Sequence, residues 1–366
     1  MIKKIITITL LAAFGFSIGK AQVVYSNDFL SIGVGARAHG MSGAVTATTG
    51  DVYSSYWNPA GLSSIEAPVQ LGLMHSEWFA GVAKYDFLGF AKPLGGDKKR
   101  TIGVSVIRFG IDNIPYTLNL IGPDGSINYA DVRSFSAADY AVQGSYSQLL
   151  SENLSIGGNV KVIRRVIGTL AGAWGLGADL GIQYKIGRFR LAAVGRDITT
   201  TYNAWTATLT AAEKLAFSSS GNAIPKTSVE ITKPTFFLGA AYVTPLSKNV
   251  NLTVEADAGV ATDGQRNVLV SAKAFNLDPR FGIEIEYQKN IWLRGGVGNF
   301  QRLKTDLNGT ELNFQPNFGL GLRLGRLVVD YGLTNIGNVS AVQVSHIFSL
   351  KLDLKKRVAL RGVEGV

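Results

Sequence analysis

Apolar and polar residues alternate one by one along much of the chain. From position 174, Trp174, Leu176, Ala178, Leu180, Ile182, Tyr184 and Ile186 share one face, while Gly175, Gly177, Asp179, Gly181, Gln183 and Lys185 share the other. The same period runs through residues 154–162, 250–258 and 281–287. A period of two is the mark of a β-strand, whose side chains point to opposite faces in turn. These runs are on the order of ten residues, longer than the ~5–6 usual in soluble sheets and close to what a tilted membrane strand needs. The second face mixes glycine with charge. A water-washed sheet would be densely charged there, so the pattern favours a closed barrel with a polar lumen over a β-sandwich.

Turn signals divide the chain unevenly. Residues 95–99, 151–153, 186–188, 245–249, 288–290 and 325–326 read as tight turns, and 111–136, 199–233 and 299–315 as long loops. Short turns on one side and long loops on the other are expected of outer-membrane barrels. Strand starts near residues 68, 84, 100, 138, 153, 173, 189, 234, 249, 279, 291, 315, 327 and 341 give about fourteen strands, an even number as is the rule for bacterial barrels with both ends on one side. Residues 267–275 form a further candidate between Asp263-Gly264 and Asp278-Pro279. They are assigned to an excursion of an outer loop.

Composition agrees with a membrane barrel. Mean hydropathy is +0.17, only 17% of residues are charged and 43 are glycine. Beyond the first twenty positions no apolar run approaches the ~18 residues of a membrane helix. Residues 1–21 read as an export leader, with Lys3 and Lys4, an apolar stretch, and small Gly19 and Ala21 before a cleavage site near Ala21. The chain has no cysteine, which excludes disulfides and thiolate chemistry. Net charge is +10, but three of the lysines lie in the leader and the remaining basic residues are scattered, so nucleic acid is not expected as a partner.

Candidate chemistry is sparse. His39, His75 and His346 are far apart, residues 175–181 lack the spacing and helix of a dinucleotide loop, and residues 40–43 form no nucleophile elbow. No catalytic, metal or cofactor site is expected, and the protein reads as a non-enzyme. Asp179, Glu255, Asp257, Glu284, Glu286 and Arg294 sit on polar strand faces and read as a lumenal polar network. In the long loops Tyr116, Tyr129, Tyr202, Trp205 and Phe217 are candidate contacts.

Residues 22–66 precede the first strand and carry no long alternation. A compact segment with a Trp and several glycines could fill the lumen as a hatch. Residues 31–62 contain Gly35-Ala36-Arg37-Ala38, Met41-Ser42-Gly43-Ala44, Asp51 and Trp57-Asn58-Pro59-Ala60-Gly61. This resembles the N-terminal signature of the FadL-like outer-membrane superfamily, most closely its PorV/PorQ branch from the type IX secretion system of Bacteroidetes. Residues 293–300 and 345–354 also look like that branch. The resemblance implies a bacterial outer-membrane barrel whose hatch motif comprises Gly35, Arg37, Gly43, Asp51, Trp57, Asn58, Pro59 and Gly61. It implies a shuttle or accessory subunit that binds the translocon barrel and cargo C-terminal domains, with lipid or lipopolysaccharide around it. The alternative is a FadL-type channel for hydrophobic small molecules. The expected organisation is a leader (1–21), a hatch (22–66), an all-β transmembrane antiparallel barrel (67–354) and a basic tail (355–366).

Overall fold

The computed structural model describes residues 27–96, 99–118, 120, 126–219, 221, 223–272, 274–304, 309–334 and 344–354. The leader and the basic tail lie outside the described residues.

The first half of the sheet comprises β1 (Val69–Trp78), β2 (Ala83–Leu94), β3 (Arg100–Tyr116), β4 (Arg133–Leu149), β5 (Leu154–Ile167), β6 (Ala171–Ile186), β7 (Phe189–Arg196), β8 (Thr201–Ala207) and β9 (Ser228–Thr232). The second half comprises β10 (Thr235–Pro245), β11 (Val250–Ala261), β12 (Val270–Ser271), β13 (Asn276–Tyr287), β14 (Ile291–Lys304), β15 (Thr310–Leu324), β16 (Leu327–Thr334) and β17 (Ser345–Leu354). Fourteen of them close a ring of antiparallel pairs, β1 to β7, then β10, β11 and β13 to β17, with β17 returning to β1. Closure leaves no open edge, which is the condition for a sheet to cross a bilayer. The outward face supplies the apolar surface. Leu88, Val104, Leu176, Leu180, Leu293, Leu320 and Phe348 all point out and are exposed. In water this band would far exceed the patch a monomer tolerates, whereas in hydrocarbon it is the lipid-facing girdle.

The remaining strands correct the expected loops. β8 continues β7 along β6 after a break at residues 197–200, where Asp197 and Thr200 take positive φ of 53° and 59°. β9 pairs with β8 and leads into β10. The expected loop 199–233 is therefore mostly a hairpin carrying the helix Ala211–Ser219, and the bulge hid it by breaking the alternation. Likewise β3 and β4 pair up to Tyr116 and Arg133, and β14 and β15 fill most of residues 299–315. In the region 267–275, Val270–Ser271 pairs with the start of β13. Asp278-Pro279 is no turn: both residues lie within β13.

Residues 27–66 lie inside the ring. The segment has little regular structure: a 3₁₀ turn (Asp28–Ser31), a helix (Ala36–Gly40), a one-turn helix (Ser54–Trp57) and a second 3₁₀ turn (Pro59–Ser64). Its Val34, Met41, Val45, Val52, Tyr53, Trp57 and Leu62 are buried together with inward-facing Met74, Trp78, Tyr85, Phe87, Ile107 and Ile163 of the wall. The core of the molecule is the seam between this segment and the first strands.

Candidate functional site

Short backbone elements leave many N–H and C=O groups without regular partners, and burial makes each of them costly. The wall supplies the partners. Asp257 Oδ2 accepts from Val45 N at 3.1 Å and Thr46 N at 3.0 Å, and Glu255 Oε1 accepts from Ala47 N at 2.6 Å. Glu255 also accepts from the Thr48 hydroxyl. Gln183 donates to Thr46 O and Thr49 O, and Asn159 donates to Ser55 O at 2.6 Å. These wall residues do for the segment what neighbouring strands do for a strand.

The motif residues meet the wall at defined places. Arg37 Nε and Nη2 donate to the two oxygens of Glu284 at 2.9 and 3.0 Å. Glu284 also accepts from Arg294 Nε at 2.6 Å, and Arg294 Nη1 donates to Asp330 at 2.6 Å. Asp51 pairs with Lys351 at 2.9 Å. Trp57 Nε1 donates to Val34 O at 2.7 Å, and Asn58 Nδ2 donates to Thr46 O and Ile182 O. Asn58 is extended, its Oδ1 accepts from Ala60 N, and Pro59 starts the 3₁₀ turn where its missing N–H is not needed. Gly35 and Gly43 have φ of +83° and +78°, which disfavour a side chain, and at Gly61 a Cβ would sit 2.4 Å from Thr49 O.

The expected polar network resolves into separate groups. Glu284 and Arg294 belong together, joined by Arg37 and Asp330. Asp179 belongs to a second group, in which Lys161 Nζ lies 2.8 Å from both Asp179 and Asp197. Glu255 and Asp257 hold backbone and not arginines. Glu286 stands apart, accepting from Asn251 at 2.8 Å and Trp292 at 3.1 Å. Sequence reading missed Lys161, Asp197 and Asp330. Lys161 lies on the polar face of an alternation already read, so its position signalled it. The pairing of residues eighteen or more apart did not.

The candidate loop contacts fare unevenly. Tyr129 is exposed. Tyr202 points outward from β8, on the apolar girdle. Tyr116 is on β3, and its hydroxyl donates to Glu213 at 2.7 Å, tying the wall to the outer helix. Thr210 and Glu213 cap that helix reciprocally. Trp205 faces inward under the Arg165 guanidinium, 5.0 Å from its ring centre. Phe217 lines a cavity of about 390 Å³ beneath the helix together with Trp205, Leu170 and Leu209.

Two further cavities lie in the lumen. One of about 150 Å³ is lined by Leu30, Tyr56, Arg196, Phe237, Asp278 and Arg280, among others. The other, of about 350 Å³, is lined by His39, Trp57, Trp78, Asp278, Arg280, Gly298 and Asn299, among others. They share Asp28 and Ser31 of the inner segment and Asp278 and Arg280 of the wall, the last two beside a break in the wall. β13 and β14 pair only from Phe281 with Val297 downwards. Above that level Pro279 has no N–H to give, Asn299 has φ of 50°, and the pairing of β14 with β15 slips between Gly298 and Gln301. Higher still, β12 pairs with Asn276 and Leu277, and Asn267 bonds the backbone of Arg302. The break is thus a window framed on all sides. Phe281, Phe300 and Phe314 line its neighbourhood, with ring centres 6.4 and 6.2 Å apart in sequence.

His39 marks the second cavity. Its Nε2 lies 3.1 Å from Gly33 O, within a buried setting. Burial pushes the imidazole down to about 4, aided by nearby Arg280 and opposed by the bond to Gly33. The docked segment therefore holds His39 neutral. Its contribution is complete above an unfolded value of ~6.5 and is lost as pH falls from there to about 4, by up to about 3 kcal/mol. Protease protection of residues 27–66 is expected to weaken over that window, and His39→Gln is expected to flatten that part of the profile.

No family model and no curated protein matches the sequence. Solved structures do match the fold. The Pseudomonas putida toluene transporter TodX aligns with TM-score 0.58 at 13% identity, over 91% of this chain and 100% of that one. The Ralstonia pickettii toluene transporter TbuX aligns with TM-score 0.54 at 14% identity, over 88% and 98%. A Pseudomonas aeruginosa FadL homologue aligns with TM-score 0.51 at 13% identity, over 87% and 98%. The fold is that of FadL-like barrels.

Proposed function

We propose that this protein is an outer-membrane channel for small apolar or amphipathic molecules, with residues 27–66 as its hatch. The observation that carries the reading is the pair of lumenal cavities meeting at Asp278 and Arg280, beside the unpaired window between β13 and β14. A barrel serving only as a rigid platform has no use for such a window. A channel does: a solute that enters the lumen leaves sideways through the wall, because the segment below blocks the straight path. The likeness to barrels described as toluene transporters supports the reading. The type IX expectation, with its translocon and cargo partners, rests on the motif resemblance alone, and the structural neighbours favour the channel.

Crystals soaked with para-bromotoluene test this. Anomalous bromine density is expected in a lumenal cavity or in the window beside Asp278 and Arg280. Density confined to the outer surface, or none, would count against it.

A further inference from the structure

The smaller lumenal cavity is balanced overall in charge, but one of its cations has no ion pair of its own. Its charged lining comprises Asp28, Lys161, Asp179, Arg196, Asp197, Lys233, Asp263, Arg266, Asp278 and Arg280. Most are already matched. Lys161 is held by Asp179 and Asp197, Arg266 by Asp263, and Arg280 by Asp278. Asp28 and Lys233 are exposed. Among the described residues Arg196 pairs with no carboxylate: one hydrogen bond runs from Nη2 to the Tyr56 carbonyl at 3.2 Å, and its Nε is buried without a partner.

Aromatic faces surround that guanidinium. The ring centres of Tyr56, Phe237 and Trp57 lie 4.4, 4.6 and 5.4 Å away. Arg280 approaches Phe237 as well, at 5.5 Å. Aromatic faces stabilise a cation but leave its N–H donors unused. A guanidinium with free donors is matched best by a planar carboxylate. The rest of the lining near it includes Leu30, Phe237 and Ala261, which would take an apolar body. A cavity of about 150 Å³ is the size that accepts a single benzene ring.

We propose that Arg196 is the binding site for the carboxylate of a single-ring aromatic acid, whose ring lies against Phe237. The inference rests on the channel reading above and narrows its substrate class to include anions that a purely apolar conduit would reject.

The test is calorimetric titration of the detergent-solubilised full chain with benzoate and with benzyl alcohol, which has the same shape without the charge. Benzoate is expected to bind about tenfold more tightly, the value of one charge-assisted hydrogen bond. Arg196→Gln is expected to abolish that preference and leave benzyl alcohol binding unchanged. Arg196→Lys, which keeps the charge, is expected to retain part of it and serves if the Gln variant does not fold. Equal binding of the two probes, or a preference that survives Arg196→Gln, overturns the proposal. A protein that binds benzyl alcohol without preferring benzoate keeps the channel reading and loses the anion site. A protein that binds neither probe overturns the anion site and counts against the channel as well.

Discussion

Glu284→Gln is expected to loosen the hatch by about 3–5 kcal/mol, the range for breaking a buried ion pair by removing one partner. Glu284 is the shared acceptor of Arg37 from the hatch and Arg294 from the wall. Arg294 is 4% exposed, so water cannot replace the lost charge there. The variant keeps the shape and one carbonyl acceptor, but leaves two guanidiniums side by side, with Asp330 on Arg294 and the more distant Asp51 and Glu255 near Arg37. The barrel has its own ladders and should survive. Limited proteolysis should then cut residues 27–66 at least a hundredfold faster, while the gel shift of the folded barrel persists. An unchanged cleavage rate would show that the hatch does not depend on this cluster.

Gly157→Val is expected to have the second large effect, by steric means. Gly157 faces inward from β5, and a Cβ there would lie 2.4 Å from the carbonyl carbon of Pro59 and 2.5 Å from Ala60 N. These are backbone atoms of a turn that Asn58 already fixes, so they cannot swing aside as a side-chain tip would. Overpacking a tight contact costs about 1–3 kcal/mol, and more where backbone must move. Gly296 on the opposite wall stands in the same relation to the hatch, with a Cβ 2.4 Å from the carbonyl carbon of Met41. Together these glycines form a smooth bore on two sides of the segment. Either substitution should raise ion conductance in planar bilayers by displacing the hatch, whereas valine at outward-facing Gly144, where a Cβ meets nothing, should not.

Much of the barrel was legible because its physics is local. A period of two names a strand, and the polar face of 174–186 or 281–287 names the lumen, without knowledge of any partner. The starts of the ring strands fall within a few residues of those read from sequence, except where β4 and β15 begin earlier, inside expected loops. What stayed hidden depends on distant residues. The bulge at 197–200 interrupts the alternation, so β8 and β9 read as loop. Asp278-Pro279 carries turn chemistry, yet Pro279 sits in a strand because no neighbour asks for its N–H on the window side. The acids at 255, 257 and 284 were visible as a polar face, but their duties differ: two hold backbone amides and one bridges arginines. That distinction lies in the path of residues 27–66 through the lumen, which no local pattern encodes.

The channel account is tested most directly by uptake of radiolabelled toluene into cells with an intact lipopolysaccharide outer leaflet and no hydrophobic-solute channel of their own. Expression of the wild-type chain is expected to raise uptake severalfold over an empty vector. Asn299→Trp, which places bulk at the window between β13 and β14, is expected to return uptake to the vector level while the barrel stays folded. Uptake that never exceeds the vector, or that Asn299→Trp leaves untouched, would contradict the path through the lumen and the wall.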